Sequence, residues 1–136
     1  MKRREFLSFT AATVLVPLAA RAELKSTRYQ PGVVDDLLAA DKTVFIDFYT
    51  SWCSTCRSQQ RTIAALRAEN PVYDQNMVFV NVDWDIYAQS SLAIFHKIPR
   101  RSTLLVLRGD EELGRIVAGT GRAEIKALMD AGIASA

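Results

Sequence analysis

The 136-residue sequence holds two cysteines and one histidine, His96, so a structural zinc site within the chain, which usually needs four protein ligands, is disfavoured. Four prolines and six glycines, beside 49% apolar and 24% charged residues, exclude collagen-like, mucin-like or wholly disordered chains. No apolar run reaches the roughly 18 to 20 residues that span a bilayer. An excess of one charge is missing too. Seventeen basic residues oppose fifteen acidic ones, and four of the basic residues and one acid fall within the first 22 positions. Beyond Ala22, 13 basic residues meet 14 acidic ones without a basic stripe, which argues against a nucleic-acid partner. One domain is expected from the length.

The start of the chain reads as an address. Lys2, Arg3 and Arg4 precede an apolar stretch from Phe6 to Ala20, broken by Ser8, Thr10, Thr13 and Pro17 and followed by Arg21-Ala22. That order of basic, apolar and small-residue regions predicts a bacterial export signal, residues 1–22, cleaved after Ala22 to leave no stable membrane insertion. Arg3-Arg4-Glu5-Phe6-Leu7 resembles the twin-arginine signal, with the general-secretion signal and an uncleaved anchor as competing readings. Residues 23–32 then read as a linker, and 33–136 as one folded domain.

Beyond the linker, helical and strand-like segments alternate. Apolar pairs after Pro31-Gly32 predict a helix from Val33 to Ala40, and the β-branched and aromatic run Thr43–Tyr49 predicts a buried strand. A helix from Thr55 to Glu69 sets Ile63 and Leu66 against Arg57, Gln60, Arg61 and Arg67, and ends at Asn70-Pro71. Met77–Asp83 predicts a second strand, parallel to the first, and Tyr87–His96 a second crossover helix. Thr103–Leu107 and Leu113–Val117 flank a turn of hairpin length, and a final helix runs from about Arg122 to Met129, closing near Gly132.

The chemistry sits in Cys53 and Cys56, separated by Ser54-Thr55 where the first strand gives way to a helix. A thiol at a helix N-terminus faces unpaired backbone N–H groups and the positive end of the dipole, which favours the nucleophilic thiolate. Cys53 is therefore the expected attacking thiol and Cys56 the resolving one. A structural bridge closing so small a loop would constrain the unfolded chain little. A metal or cluster site shared between chains is the other alternative.

The segment Val44–Arg57, VFIDFYTSWCSTCR, resembles the active-site segment of thioredoxins, and STLLVLRGDEELGRIVAGT with the helix after it resembles their hairpin and final helix. The resemblance covers about Val33 to Ile133. It implies an α/β, thioredoxin-like fold: a central mixed β-sheet flanked by helices in a single domain. It implies that Asp47 is the buried acid assisting proton transfer at the resolving cysteine, a role that desolvation on an apolar strand suits. An exposed strand-end carboxylate is the plainer alternative. Trp52 resembles the aromatic that shelves the active site, with core filling as the plainer role.

Three departures stand out. Ser54-Thr55 replaces Gly-Pro between the cysteines, offering two hydroxyls to the Cys53 sulfur. The lysine near the buried acid is absent, with Asn81 or a neighbour in its place. Aligning Thr103-Leu104-Leu105 with the next thioredoxin strand puts Ser102 where the cis-proline belongs, Pro99 lying three positions too early. A cis bond before serine costs about 2.5 to 4 kcal/mol, so a trans Arg101–Ser102 peptide is expected. Arg100 and Arg101 should then lie close to the active site, Arg101 and Ser102 lining the substrate-binding loop, where Arg101 could steer acidic partners or favour the Cys53 thiolate.

These features point to a periplasmic thiol-disulfide oxidoreductase that reduces protein disulfides through Cys53 and Cys56, as a monomer and without a cofactor or bound metal. Disulfide-forming oxidases of this fold carry a helical insertion for which about 114 residues leave no room. The periplasm is kept oxidising, so a membrane electron donor of the thiol-disulfide relay type is implied. The alternative function is a soft-metal module binding or delivering copper through the same cysteines.

Overall fold

A computed structural model describes residues 24–134. The expected export signal and its cleavage point lie outside these residues. A five-stranded sheet in the order β1-β3-β2-β4-β5 is built from β1 (Thr27–Arg28), β2 (Thr43–Tyr49), β3 (Met77–Asp83), β4 (Thr103–Arg108) and β5 (Glu111–Val117). β1, β3 and β2 run parallel, while β4 is antiparallel to β2 and to β5. This is the mixed, helix-flanked sheet that the family resemblance implies.

The central strand β2 is buried on both faces, as its unbroken apolar run requires. On one face Val44, Ile46 and Phe48 pack with Val34 of α1 (Val33–Ala39) and Leu92 of α5 (Ser91–Phe95). On the other, Phe45 packs with Ile63 and Leu66 of α2 (Ser54–Glu69), Tyr73 of α3 (Val72–Asn76), and Ile125 and Leu128 of α6 (Arg122–Ala134). Side chains alternate along a strand, so Asp47 shares the α2 face with Phe45.

The structure departs from the expected elements in several places, and α3 has no counterpart among them. The segment read as a linker supplies β1, whose Thr27 and Arg28 pair with Val80 and Asn81, and Tyr29 behind it is buried. The single helix expected over Tyr87–His96 is two short ones, α4 (Trp84–Tyr87) and α5, because Asp83 and Ser90 each cap a new N-terminus by accepting from the backbone N–H of Asp85 and Ala93. Nor does it lead to a parallel strand, since β4 reverses direction. α6 continues past Met129 through Gly132, which lies against Met77 and Val106 where a Cβ would collide with the Met77 sulfur.

Arg67, expected on the polar face of α2, is buried. Its Nε donates to Asp74 at 2.8 Å, Nη1 to the Ser26 hydroxyl at 2.9 Å and Nη2 to the Lys25 carbonyl at 2.7 Å, with its guanidinium 3.9 Å from the Phe79 ring centroid. At the sheet's margins β1 has only two residues, and β5 is half-exposed, charged at Glu111, Glu112 and Arg115, with a register shift opposite Val106/Leu107. No described helix is long and apolar enough to cross a membrane.

Candidate active site

β2 ends at Tyr49, and a short turn returns the chain to begin α2 at Ser54. Cys53 is the N-cap of α2, its sulfur accepting from the Cys56 backbone N–H at 3.1 Å, so the sulfur faces the helix N-terminus as the sequence predicts. Cys53 and Cys56 form a disulfide. Cys53, the expected accessible thiol, is only 4% exposed in this form, but Cys56 is fully buried, so attack on the bridge is open only at Cys53.

Ser102 lies beside the pair. Its Oγ is 3.2 Å from the Cys53 sulfur and 3.1 Å from the Cys56 sulfur, and the residue is 0% exposed. It has left-handed backbone with φ 65°, and its peptide with Arg101 is trans. Among the described residues the hydroxyl that meets the Cys53 sulfur is that of Ser102, not those of Ser54 or Thr55. The Ser102 N–H donates to the Phe48 carbonyl at 2.7 Å, and its carbonyl accepts from Ala118 N–H and Gln59 Nε2, both at 2.9 Å.

Gln59 is a further residue of the site, outside the cysteine motif. It is fully buried, and its Nε2 also donates to the Gly119 carbonyl at 2.9 Å, tying the 102 loop to the 119 loop. The signal was present: Cys56, Gln59, Ile63 and Leu66 share one helical stripe, and a glutamine on a buried stripe needs polar partners.

Asp47 is 4% exposed, which rules out the strand-end alternative. Burial pushes its carboxyl up from 3.8 to about 7, opposed by a hydrogen bond from Gln60, and its Oδ1 has no hydrogen-bond partner. It lines a cleft of about 330 Å³ with Gln60, Ile63, Tyr49 and Asn81. Asn81 is the cross-strand partner of Asp47, so an amide stands where the lysine of the family resemblance would be.

Trp52 is 57% exposed, a shelf on the surface rather than core filling. Its Nε1 donates to Asp85 at 2.9 Å, and the Arg101 guanidinium stacks 4.3 Å from its ring centroid. Arg101 therefore meets the tryptophan next to Cys53, and Arg100 is turned to its own loop, donating to the Arg101 carbonyl. Among the described residues no group of three or more His, Cys, Asp or Glu side chains is placed to hold a metal ion.

The thioredoxin family model matches residues 22–131, most of the chain. The chain belongs to the thioredoxin family. It is 29% identical to a thioredoxin of Echinococcus granulosus over 94 residues, covering 69% of this chain and 81% of that one. It is also 29% identical to thioredoxin-1 of Saccharomyces cerevisiae, over 71% and 87% of the two chains. The solved structure of Trxlp from Edwardsiella tarda superposes with a TM-score of 0.64 at 24% identity, over 78% of this chain and 96% of that one, which bears on the fold alone. As a member of this family with its cysteine pair at disulfide distance, the protein is a thiol-disulfide oxidoreductase acting on protein disulfides.

Proposed function

We propose that the protein works in the reducing direction in the periplasm, recharged by a membrane-bound thiol-disulfide relay. The observation that carries exchange through this pair is the Cys53 sulfur at the N-cap of α2, the one sulfur of the pair reachable from outside, and the periplasmic setting is supported by the export signal read in residues 1–22. The connection from β2 to β3 contains only α2 and the five-residue α3, and that from β3 to β4 only the short α4 and α5, in keeping with a protein lacking the inserted helical domain of disulfide-forming oxidases.

In the reduced protein the Cys53 thiolate bonds to one sulfur of a substrate disulfide, whose S–S bond breaks, and the other sulfur leaves with the electron pair. Cys56 then gives its proton to the Asp47 carboxylate, and its thiolate bonds to the Cys53 sulfur. The bond between Cys53 and the substrate breaks. Two electrons have passed to the substrate, and the two protein thiols have become one disulfide. An Asp47 pKa of about 7 suits a group that must take and return a proton near neutral pH. Trp52 and Arg101 form the surface a substrate chain meets beside Cys53.

Trapping decides the assignment. Cys56→Ser should accumulate mixed disulfides with exported proteins in a periplasmic extract, and Cys53→Ser should accumulate none; the reverse result would exchange the two roles. Metal analysis of the reduced protein separates this reading from copper delivery, since a stoichiometric copper ion without disulfide reductase activity would replace it.

A further inference from the structure

We propose that the Ser102 hydroxyl is a mobile hydrogen-bond donor that serves each active-site sulfur in turn as negative charge passes between them, and that Gln59 is the positioning residue that holds it in place. The inference rests on the oxidoreductase reading above. Neither disulfide sulfur carries a hydrogen, so in the contacts at 3.2 and 3.1 Å the serine is the donor. It has one hydrogen for two nearly equidistant acceptors. A bond to a charged acceptor is about twice as strong as one to a neutral acceptor, so the hydrogen should point at whichever sulfur is the thiolate.

The sequence of charge follows from the chemistry. In the reduced protein the thiolate is Cys53. Once Cys53 is tied to a substrate sulfur, the charge that forms next is on Cys56, and a rotation about the Ser102 Cβ–Oγ bond delivers the same donor there. No covalent bond to Ser102 forms and no proton leaves it. Exchange still converts two protein thiols and one substrate disulfide into one protein disulfide and two substrate thiols.

The backbone supports a built position rather than a chance contact. A non-glycine residue at φ 65° is held in a sparsely populated conformation, and such outliers persist only where the surroundings over-determine them. Here three hydrogen bonds do so, from Ser102 N–H to Phe48 and to the Ser102 carbonyl from Ala118 and Gln59. Gln59 sits on α2 one turn beyond Cys56, so the helix that carries the sulfurs also carries the clamp on the hydroxyl. The charged groups on elements around the pair, Asp47 on β2, Arg57 on α2, Asp85 on α4 and Arg101, are untouched by the variants below.

The test uses the reduced full-length protein and an aromatic disulfide that releases a coloured thiolate twice, first on attack by Cys53 and again on resolution by Cys56. Ser102→Ala and Ser102→Gly both remove the hydroxyl, and glycine accepts the left-handed backbone without strain, so at least one variant folds. The expected result is a Cys53 pKa about one higher. The first release then slows about threefold below both pKa values, because tenfold less thiolate is partly offset by a more basic nucleophile, and it quickens above them. That crossing of pH profiles is something a merely loosened structure does not produce.

The second release should show the same displaced profile, and Gln59→Leu should move both profiles the same way by less. Unchanged profiles in both serine variants overturn the proposal. A displaced first release with a wild-type second release overturns the transfer between sulfurs, and unchanged Gln59→Leu profiles overturn the role of Gln59. If the wild-type protein itself releases no coloured thiolate, the oxidoreductase reading fails instead.

Discussion

Asp47 sits in the fold at an energetic cost that depends on pH. A carboxyl that ionises near 3.9 in the unfolded chain and about 7 in the folded one binds its proton more tightly when folded. Its contribution to stability is therefore greatest in acid, declines as pH rises above about 4, and is at its least above 7, where ionised Asp47 costs on the order of 4 kcal/mol. Asp47→Asn should abolish this dependence. Urea denaturation at pH 5 and pH 8 should show the variant gaining several kcal/mol over the wild type at pH 8 and much less at pH 5. An equal difference at both pH values would contradict the buried, high-pKa carboxyl. Cys53, Cys56, Asp47 and Ser102 are legible in the sequence because their residue types and spacing sit beside recognisable strands. The partner of Trp52 is not: Asp85 lies 33 positions away, and nothing in either local sequence marks the pair.

The elements held by long apolar runs, β2, β3 and β4, are legible for a simple reason. A strand buried on both faces must be apolar along its length, and that leaves a visible signature. β1 has no such signature, since two exposed residues supply backbone to β3 and little else. What fastens that edge is Arg67, a residue that reads as a solvated charge until the guanidinium is seen to hold Asp74, Ser26 and the Lys25 carbonyl at once. Arg67→Ala should destabilise the protein by roughly 2 to 4 kcal/mol, within reach of the usual cost of breaking a buried pair. Hydrogen exchange gives the sharper readout. The Tyr29 amide, bonded to the Asn81 carbonyl at 2.9 Å, should lose protection well before the β2 and β3 amides; uniform loss would show that Arg67 does not specifically hold β1.

At the scale of the whole molecule, the separation of a basic start from a near-neutral remainder is the feature on which proposed export rests. The mature protein should begin at Glu23 on N-terminal sequencing, and replacing Arg3 and Arg4 by lysine should leave the precursor in the cytoplasm if export follows the twin-arginine route. Unimpaired export of that variant would assign the general-secretion route instead. The overall fold was legible through the resemblance of Val44–Arg57 to the active-site segment of thioredoxins, with the strand-helix-strand pattern and the hairpin in keeping with it. The split of α4 from α5 was not, since it depends on two capping side chains, Asp83 and Ser90, within a stretch whose apolar spacing suggests one helix.

The margins of that sheet bear on how the protein behaves at high concentration. An open edge is a template on which a neighbouring chain can add a strand, the first step towards aggregation. One edge here is two residues long, and the other is bulged and carries Glu111, Glu112 and Arg115. Growth of the sheet from molecule to molecule is thus discouraged on both sides, which leaves a thiol catalyst free to meet other chains at its cysteines without pairing strands with them.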